Sequence, residues 1–288
     1  MVEIKNLSKE IGSPSKEAFR LSNINMEIPK GFITGLIGEN GAGKTSLIRI
    51  LMNLYHKDSG ELRMFGTDYE TDEKMIKDEI GYVLNEDIFI EQMLVKDHAK
   101  VYGKYYSRFS YEKFVKLAGE YGIDIDKKIK MLSKGERLKL QFVFALSHDP
   151  KLLLLDEPTA NFDPKFRERF LKELCEFVKD GEHSVLLATH LTSDLDRIAD
   201  YIVYIEKGQI KFSMDKESLI DKYAMVKGSN VKVKCLKPEK VIYKEENEFG
   251  SKALVYRERL GDNLLNLTIE NPTIEEIMYG IVKGEKNA

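Results

Sequence analysis

The sequence predicts an α/β fold organised on a parallel sheet, and three observations carry that prediction. Residues 32–54, FITGLIGENGAGKTSLIRILMNL, read as a buried strand, a glycine loop and an amphipathic helix in immediate succession. Residues 152–155 and 184–188 are short runs apolar on both faces, as strands covered on both sides of a parallel sheet must be. Phe166, Phe170, Leu171, Leu174 and Phe177 then place a helix between those two runs by their spacing.

In chain order, residues 2–7 and 21–28 alternate apolar and polar side chains as half-exposed strands, with a polar stretch containing Gly12 and Pro14 between them. They predict a small β-layer in front of the glycine loop. Phe19 and Ile11 are its candidates to face a nucleotide base, and an ordinary structural role reads equally well for either. In the central stretch Ile33, Leu36 and Ile37 form the strand. Gly38, Gly41 and Gly43 leave a loop whose amides can turn inward on an anion with no Cβ in the way. The helix opens at Lys44, so its partly positive end meets the same anion, and Leu47, Ile48, Ile50, Leu51 and Leu54 give it a core side. The spacing Gly-x-x-x-x-Gly-Lys-Thr assigns Lys44 to the β- and γ-phosphates of a nucleotide, the Thr45 hydroxyl to Mg²⁺ and Ser46 to the α-phosphate.

Residues 61–65 and 80–84 read as short strands, the second ending in Asn85-Glu86-Asp87. From about residue 92 to 131 the pattern turns helical, with Val101, Tyr105 and Tyr106 on one segment and Phe114, Val115, Leu117 and Ala118 on another. This predicts a helical subdomain inserted over about residues 86–147. Its tyrosines, lacking a basic field, read as core or as a protein-contact surface. Leu132-Ser133-Lys134-Gly135-Glu136 lead into a helix over 137–147 with Leu138, Phe142, Ala145 and Leu146 inside, stopped by Asp149-Pro150. The strand at 152–155 ends in Asp156-Glu157-Pro158, two carboxylates where α/β folds place ligands. Asp163-Pro164 starts the next helix, and His190 stands just past the strand at 184–188, a site candidate by the same placement. A short helix around Leu195, Ile198 and Ala199 follows. A hairpin of 201–205 and 209–212 then closes a first domain spanning 1–214. Residues 231–236, 241–243, 253–256 and 264–269 alternate as strands, and Thr273 with Glu276 forms a capping box for a helix presenting Ile274, Ile277, Met278 and Ile281. Residues 215–288 therefore predict a second, small α+β domain with no visible chemistry.

The formal net charge is −3, from 45 basic and 48 acidic residues, so no nucleic-acid partner is expected. Two cysteines, Cys175 and Cys235, fit a reducing compartment without a disulfide or zinc framework. The start, MVEIKNLSKE, lacks the apolar run of a signal peptide, and no apolar segment approaches the roughly 18 to 20 residues of a membrane helix. The chain is expected to be soluble, reaching a membrane only through a partner.

Taken together, GENGAGKT, LSKGE, LLLLDEP, the Asn161-Phe162-Asp163 turn and the ATH at 188–190 resemble, in order and spacing over roughly residues 1–212, the ATPase subunits of ABC transporters. The segments YSRFSYEKF, KKIKMLSKGERLKL, ALSHDPKLLLLDEP and THLTSDLDRIADYI look like a bacterial ABC-2-type exporter branch, similar to exporters of amphipathic or antimicrobial peptides such as phenol-soluble modulins. The resemblance implies a P-loop NTPase core with an antiparallel β-layer and an inserted helical subdomain, and ATP and Mg²⁺ as cofactors. It implies that Gly38, Asn40, Gly41, Ala42, Gly43, Lys44, Thr45 and Ser46 hold ATP. By the same resemblance Thr45, Asp156 and Asn85 serve the metal, Glu157 polarises the attacking water, and His190 contacts the γ-phosphate. Leu132, Ser133, Lys134, Gly135 and Glu136 form a signature that reaches ATP on an opposite subunit, with Asp163 joining the two sites. One set cannot close its own site, so a homodimer, or a heterodimer with a related subunit, is implied. So is an integral membrane transporter subunit that holds the pair at the cytoplasmic face of the cell membrane. Three positions depart from the family pattern: Asn85 replaces a longer Gln, Ile11 stands near the place of a stacking tyrosine, and Lys134 replaces the first glycine of a pair. The alternative is a soluble ABC-type ATPase acting on ribosomes or DNA. Relatives of that kind usually carry two cassettes or a long coiled coil, and this sequence has neither.

Overall fold

The runs without a polar face become the centre of one sheet. β3 (Ile33–Ile37), β6 (Leu152–Asp156) and β7 (Ser184–Thr189) are buried at every position in the computed structural model, which describes residues 1–12, 18–86, 88–234, 236, 241–248, 250–260 and 267–287. With β5 (Ile80–Val83), β8 (Tyr201–Glu206) and β9 (Gln209–Asp215) they make a six-stranded sheet of order β5-β6-β7-β3-β8-β9. The β5–β6, β6–β7 and β3–β7 pairs are parallel. Ile37 lies opposite Thr189 and Asp156 opposite Ala188, so three strands finish almost level. Gly38, Glu157 and His190, each the next residue after its strand, are thereby brought to one edge.

A second, antiparallel sheet of order β2-β1-β4 joins β1 (Val2–Ile11), β2 (Phe19–Ile28) and β4 (Ser59–Met64). Its alternation puts Val2, Ile4, Leu21, Ile24, Met26 and Leu62 in a core shared with α1 (Lys44–Leu51). That helix is shorter than its apolar pattern suggested: it ends at Leu51, Asn53 turns to φ 56°, and Leu54, expected in the core, is 56% exposed. A helix that the sequence did not announce, α2 (Tyr69–Asp78), follows β4. Only its Ile76 is buried and Asp72 interrupts it, so it shows no apolar period to read; Asp68 caps it by accepting the Thr71 N–H.

The helical subdomain is built of α3 (Val95–Tyr102), α4 (Tyr111–Glu120) and α5 (Lys134–Leu146). α5 starts three residues before the expected 137, because Ser133 and Glu136 form a capping box: Ser133 N–H donates to Glu136 Oε2 at 2.8 Å and Glu136 N–H to Ser133 Oγ at 3.2 Å. α6 (Pro164–Val178) returns to the sheet with Phe170, Leu171 and Leu174 buried.

The chain divides into two compact units, one of Met1–His190 with Val203–Ser213 and the other of Leu191–Ile202 with Met214–Ala288. The second unit thus takes in α7 (Thr192–Ile198) as well as the tail, whose α8 (Lys216–Lys222) follows β9. It holds an antiparallel sheet of β10 (Tyr223–Gly228), β11 (Val241–Asn247), β12 (Gly250–Tyr256) and β13 (Thr268–Glu270), in the order β11-β12-β10-β13. The strand expected over 231–236 is instead a short helix, α9 (Asn230–Lys234), and Cys235 lies outside the described residues. Two alternating valines misled the reading, since Val233 is buried but Val231 is 74% exposed. α10 (Ile274–Asn287) carries the expected capping box, with the Glu276 N–H 3.2 Å from Thr273 Oγ1, and its Ile274 N–H reaches Asp196 Oδ1 of α7 at 3.2 Å. Among the described residues no helix is long and apolar enough to cross a membrane.

Candidate functional site

The glycine loop between β3 and α1 is a cradle that side chains would fill. A Cβ on Gly38 would fall 2.3 Å from the Ile205 carbonyl oxygen, and Gly43, at φ 114°, would drive one to 2.7 Å from Leu21 Cδ2. Asn40 and Gly41 are exposed at its mouth, Ala42 and Gly43 are buried, and Ser46 is half-buried. No side chain caps α1 and no acid sits in its first turn, so its leading N–H groups keep their partial positive charge for an anion. Lys44, 6% exposed, folds its ammonium over the loop and donates to Gly38 O at 2.7 Å and Glu39 O at 3.3 Å.

Beside Lys44, the carboxyl ends of β6 and β7 contribute the rest. Thr45 Oγ1 donates to Asp156 Oδ2 at 2.7 Å, while Asp156 Oδ1 is buried without a hydrogen-bond partner. Burial, and then the charge of Glu157, push the Asp156 carboxyl above its usual range. Glu157 adopts left-handed backbone geometry at φ 51° and ψ 42°, a conformation that costs of order 1–3 kcal/mol and gathers at working sites. Its N–H donates to Ala188 O at 2.9 Å, pinning it to the end of β7. Glu157 Oε2 accepts the His190 N–H at 3.2 Å and sits 2.7 Å from His190 Nδ1, and Glu157 Oε1 is 3.4 Å from Lys44 Nζ. Lys44, Glu157 and His190 therefore form one continuous string of charged and hydrogen-bonding groups facing the loop. The Thr45–Asp156 pair fits a small hard cation, since Mg²⁺ takes one or two protein oxygens and completes its shell with phosphate and water, and Asp156 Oδ1 is an oxygen with no other duty.

The lantibiotic transport ATP-binding protein SrtF of Streptococcus pyogenes is 32% identical to this chain over 73% of it and 89% of its own length. The chain belongs to the ABC transporter ATP-binding proteins. Residues 21–160 match the family model for ABC transporters, and 128–193 match a model for an AAA domain. The bacitracin transport ATP-binding protein BcrA of Enterococcus faecalis is 27% identical over 73% of this chain and 68% of its own. A solved ATP-binding subunit of an ABC transporter shares the fold, with a TM-score of 0.68 at 22% identity over 76% of this chain and 91% of that one. The protein is thus an ATPase subunit of a transporter, from a family that works with membrane transporter subunits.

In this ABC ATPase subunit the remaining expected residues are spread further. Ser133, Lys134 and Gly135 open α5, where Leu132 is buried, Ser133 and Lys134 are exposed, and the Ser133 hydroxyl is already engaged as the helix cap. Asp163 is exposed and caps α6, its Oδ1 accepting the Phe166 N–H at 3.0 Å; the Asn161 side chain lies outside the described residues. Asn85 lies two residues past the end of β5. Val83 is paired with Leu155, so Asn85 emerges level with Glu157, yet among the described residues no hydrogen bond joins it to Thr45 or Asp156. Asp87 lies outside the described residues. Of the two base-facing candidates, Phe19 flanks the loop, its Cζ lying 3.0 Å from where a Gly43 Cβ would stand, and Ile11 is its cross-strand partner. One polar residue went unremarked in the sequence: Gln141, on the inner face of α5 among Leu138, Phe142 and Ala145, is 2% exposed. A buried amide on an otherwise apolar helix face is itself a signal.

Proposed function

We propose that this ABC ATPase subunit powers export through a separate membrane subunit, two copies or this chain and a related one closing on two ATP molecules. The observation that carries the reading is the Lys44–Glu157–His190 string beside the Thr45–Asp156 pair. In that reading residues 38–46 hold the triphosphate, with Lys44 neutralising the β- and γ-oxygens. Mg²⁺ held by Thr45 and Asp156 supplies further charge neutralisation when bound, and Asn85 is available on the same side. Glu157 accepts a proton from the attacking water, and His190, hydrogen-bonded to it, orients the carboxylate and the γ-phosphate. Ser133, Lys134, Gly135 and Glu136 are exposed or half-exposed at the start of α5 and Asp163 is exposed at the start of α6, which supports the reading that they meet a partner subunit's nucleotide.

The names of the relatives, one a lantibiotic and one a bacitracin transport protein, support amphipathic or antimicrobial peptides as the cargo. The membrane subunit would hold the ATPase at the cytoplasmic face of the cell membrane. A groove of about 640 Å³ between the sheet and the helical subdomain supports a docking place, lined by Ile88, Phe89, Tyr102, Tyr105 and Tyr106. Ile88 and Tyr105 are exposed there, and burial pushes His98 and His148 down to about 4, so the lining is uncharged at neutral pH apart from Lys74, Lys77 and Asp78. A short apolar helix of the membrane subunit suits such a surface. The direct test of the phosphate-loop assignment is Lys44→Ala, which should weaken ATP binding by about tenfold or more in a fluorescence titration. Unchanged affinity would count against it.

A further inference from the structure

Gln141 is unlike every other buried side chain of α5, because it spends its whole amide on a backbone segment 55 to 57 residues away. Its Oε1 accepts the Leu84 N–H at 2.7 Å, and its Nε2 donates to Leu84 O at 3.1 Å and to Glu86 O at 3.0 Å. β5 is an edge strand whose last partner is Leu155, so beyond Val83 the chain has left the ladder that held it. The Gln141 amide takes over as a one-residue strand at that point, satisfying the N–H and C=O of Leu84, which would otherwise be buried unpaired. On its other side the same segment is tied to α1, through an ion pair between Glu86 and Arg49, five residues from Lys44. Arg49 is itself fixed by a 2.7 Å hydrogen bond to Tyr55.

We infer that Gln141 is a positioning residue for ATP hydrolysis: it locks Leu84–Glu86 so that Asn85 is presented at the level of Glu157, and it ties α5, with Ser133 and Gly135 at its start, to the segment beside the nucleotide loop. The inference rests on the reading of Asn85 as a site residue. The geometry explains how a side chain one methylene shorter than glutamine still serves, since its reach depends on where the backbone is held. A free loop would spend most of its time elsewhere, and even a displacement of about 1 Å costs catalysis heavily. The clamp also provides a route by which a shift of α5 on meeting a second subunit moves the Asn85 segment, without any contact between α5 and the phosphates.

The test uses the full chain and its steady-state ATPase. In Gln141→Leu all three hydrogen bonds vanish while the volume is nearly kept, and kcat should fall about tenfold or more with KM for ATP within about twofold of wild type. Gln141→Glu keeps the shape and the acceptor for Leu84 N–H. When protonated it can also donate to one carbonyl, and when ionised it faces two carbonyl oxygens with no donor at all. Its kcat relative to wild type should therefore be highest near about pH 6 and drop at least about fivefold by about pH 9. A role in packing alone would leave that ratio flat. A Gln141→Leu kcat within about twofold of wild type overturns the inference, and so does a flat Gln141→Glu ratio; if the leucine variant does not fold, the glutamate ratio decides alone. Asn85→Ala, assayed beside them, separates two failures: full activity there overturns the role of Asn85, whereas an impaired Asn85→Ala with a fully active Gln141→Leu overturns Gln141 only.

Discussion

Replacing Glu157 by Gln keeps the outline of the side chain and removes its charge. One carboxylate oxygen lies 2.7 Å from His190 Nδ1 and accepts the His190 N–H at 3.2 Å, and the other is 3.4 Å from Lys44 Nζ. An amide occupies the same place without moving the left-handed backbone, so the change probes proton chemistry rather than folding. A positioned general base contributes about 10²–10⁴-fold, or roughly 2.7–5.5 kcal/mol of barrier at about 1.36 kcal/mol per decade. Binding moves the other way. Lys44 loses an ion pair to a side chain that is 14% exposed and becomes free for phosphate, so ATP affinity should be unchanged or up to about tenfold tighter. Phosphate release, an ATP titration and light scattering on the same preparation read all three quantities: turnover nearly abolished, affinity kept, and an ATP-dependent dimer accumulating because it cannot hydrolyse its way open. Turnover at about a tenth of wild type or better would show that Glu157 is not the base. Loss of affinity in step with turnover would show that the substitution had disturbed the loop instead.

The remaining expectations concern Asp156, the groove and the tail. Because burial raises the Asp156 pKa above 3.8, its contribution to stability is fully present below that value and is lost as pH rises through the higher folded value. Asp156→Asn should remove this slope and raise the melting temperature of the nucleotide-free chain at neutral pH by ~2–4 °C for about 1 kcal/mol, while abolishing Mg²⁺-dependent ATPase; parallel melting curves across pH would contradict it. Ile88, 37% exposed on the groove, is a better probe than Phe89, whose ring packs edge-on against His98 at 4.8 Å. Ile88→Asp should abolish co-purification with the membrane subunit while leaving the circular dichroism spectrum unchanged, and normal co-purification would place docking elsewhere. Deleting residues 215–288 removes α10 and with it the bond from Ile274 N–H to Asp196 of α7. The truncated chain should melt below the full one yet bind ATP, and a folded truncation without ATP binding would refute the separation of roles.

The features legible along the chain alone are local ones. The glycine loop and the helix opening at Lys44 need only the conformational freedom of glycine and the polarity of a helix end. The strands at 152–155 and 184–188 need only the absence of a polar face. The helix starts at Asp163 and Thr273 each close within three residues, whereas the equally local box of Ser133 and Glu136 was passed over and α5 was expected three residues late. From these the fold class and the glycine loop were legible, together with the strand ends that carry Asp156, Glu157 and His190. Elements whose form depends on distant partners were not. α2 presents one buried residue and no period, and α9 has an alternation that only its surroundings overrule. Leu54 belonged to an apolar pattern that outlasts the helix beneath it. The string from Lys44 to Glu157 to His190 exists because the register of parallel strands sets three chain segments level, and no spacing along the chain encodes that register. Gln141 shows the limit most plainly: read along α5 it is a polar interruption of a core face, and it becomes a clamp only when Leu84, 57 residues earlier, leaves the sheet beside it with its N–H and C=O unpaired by any strand.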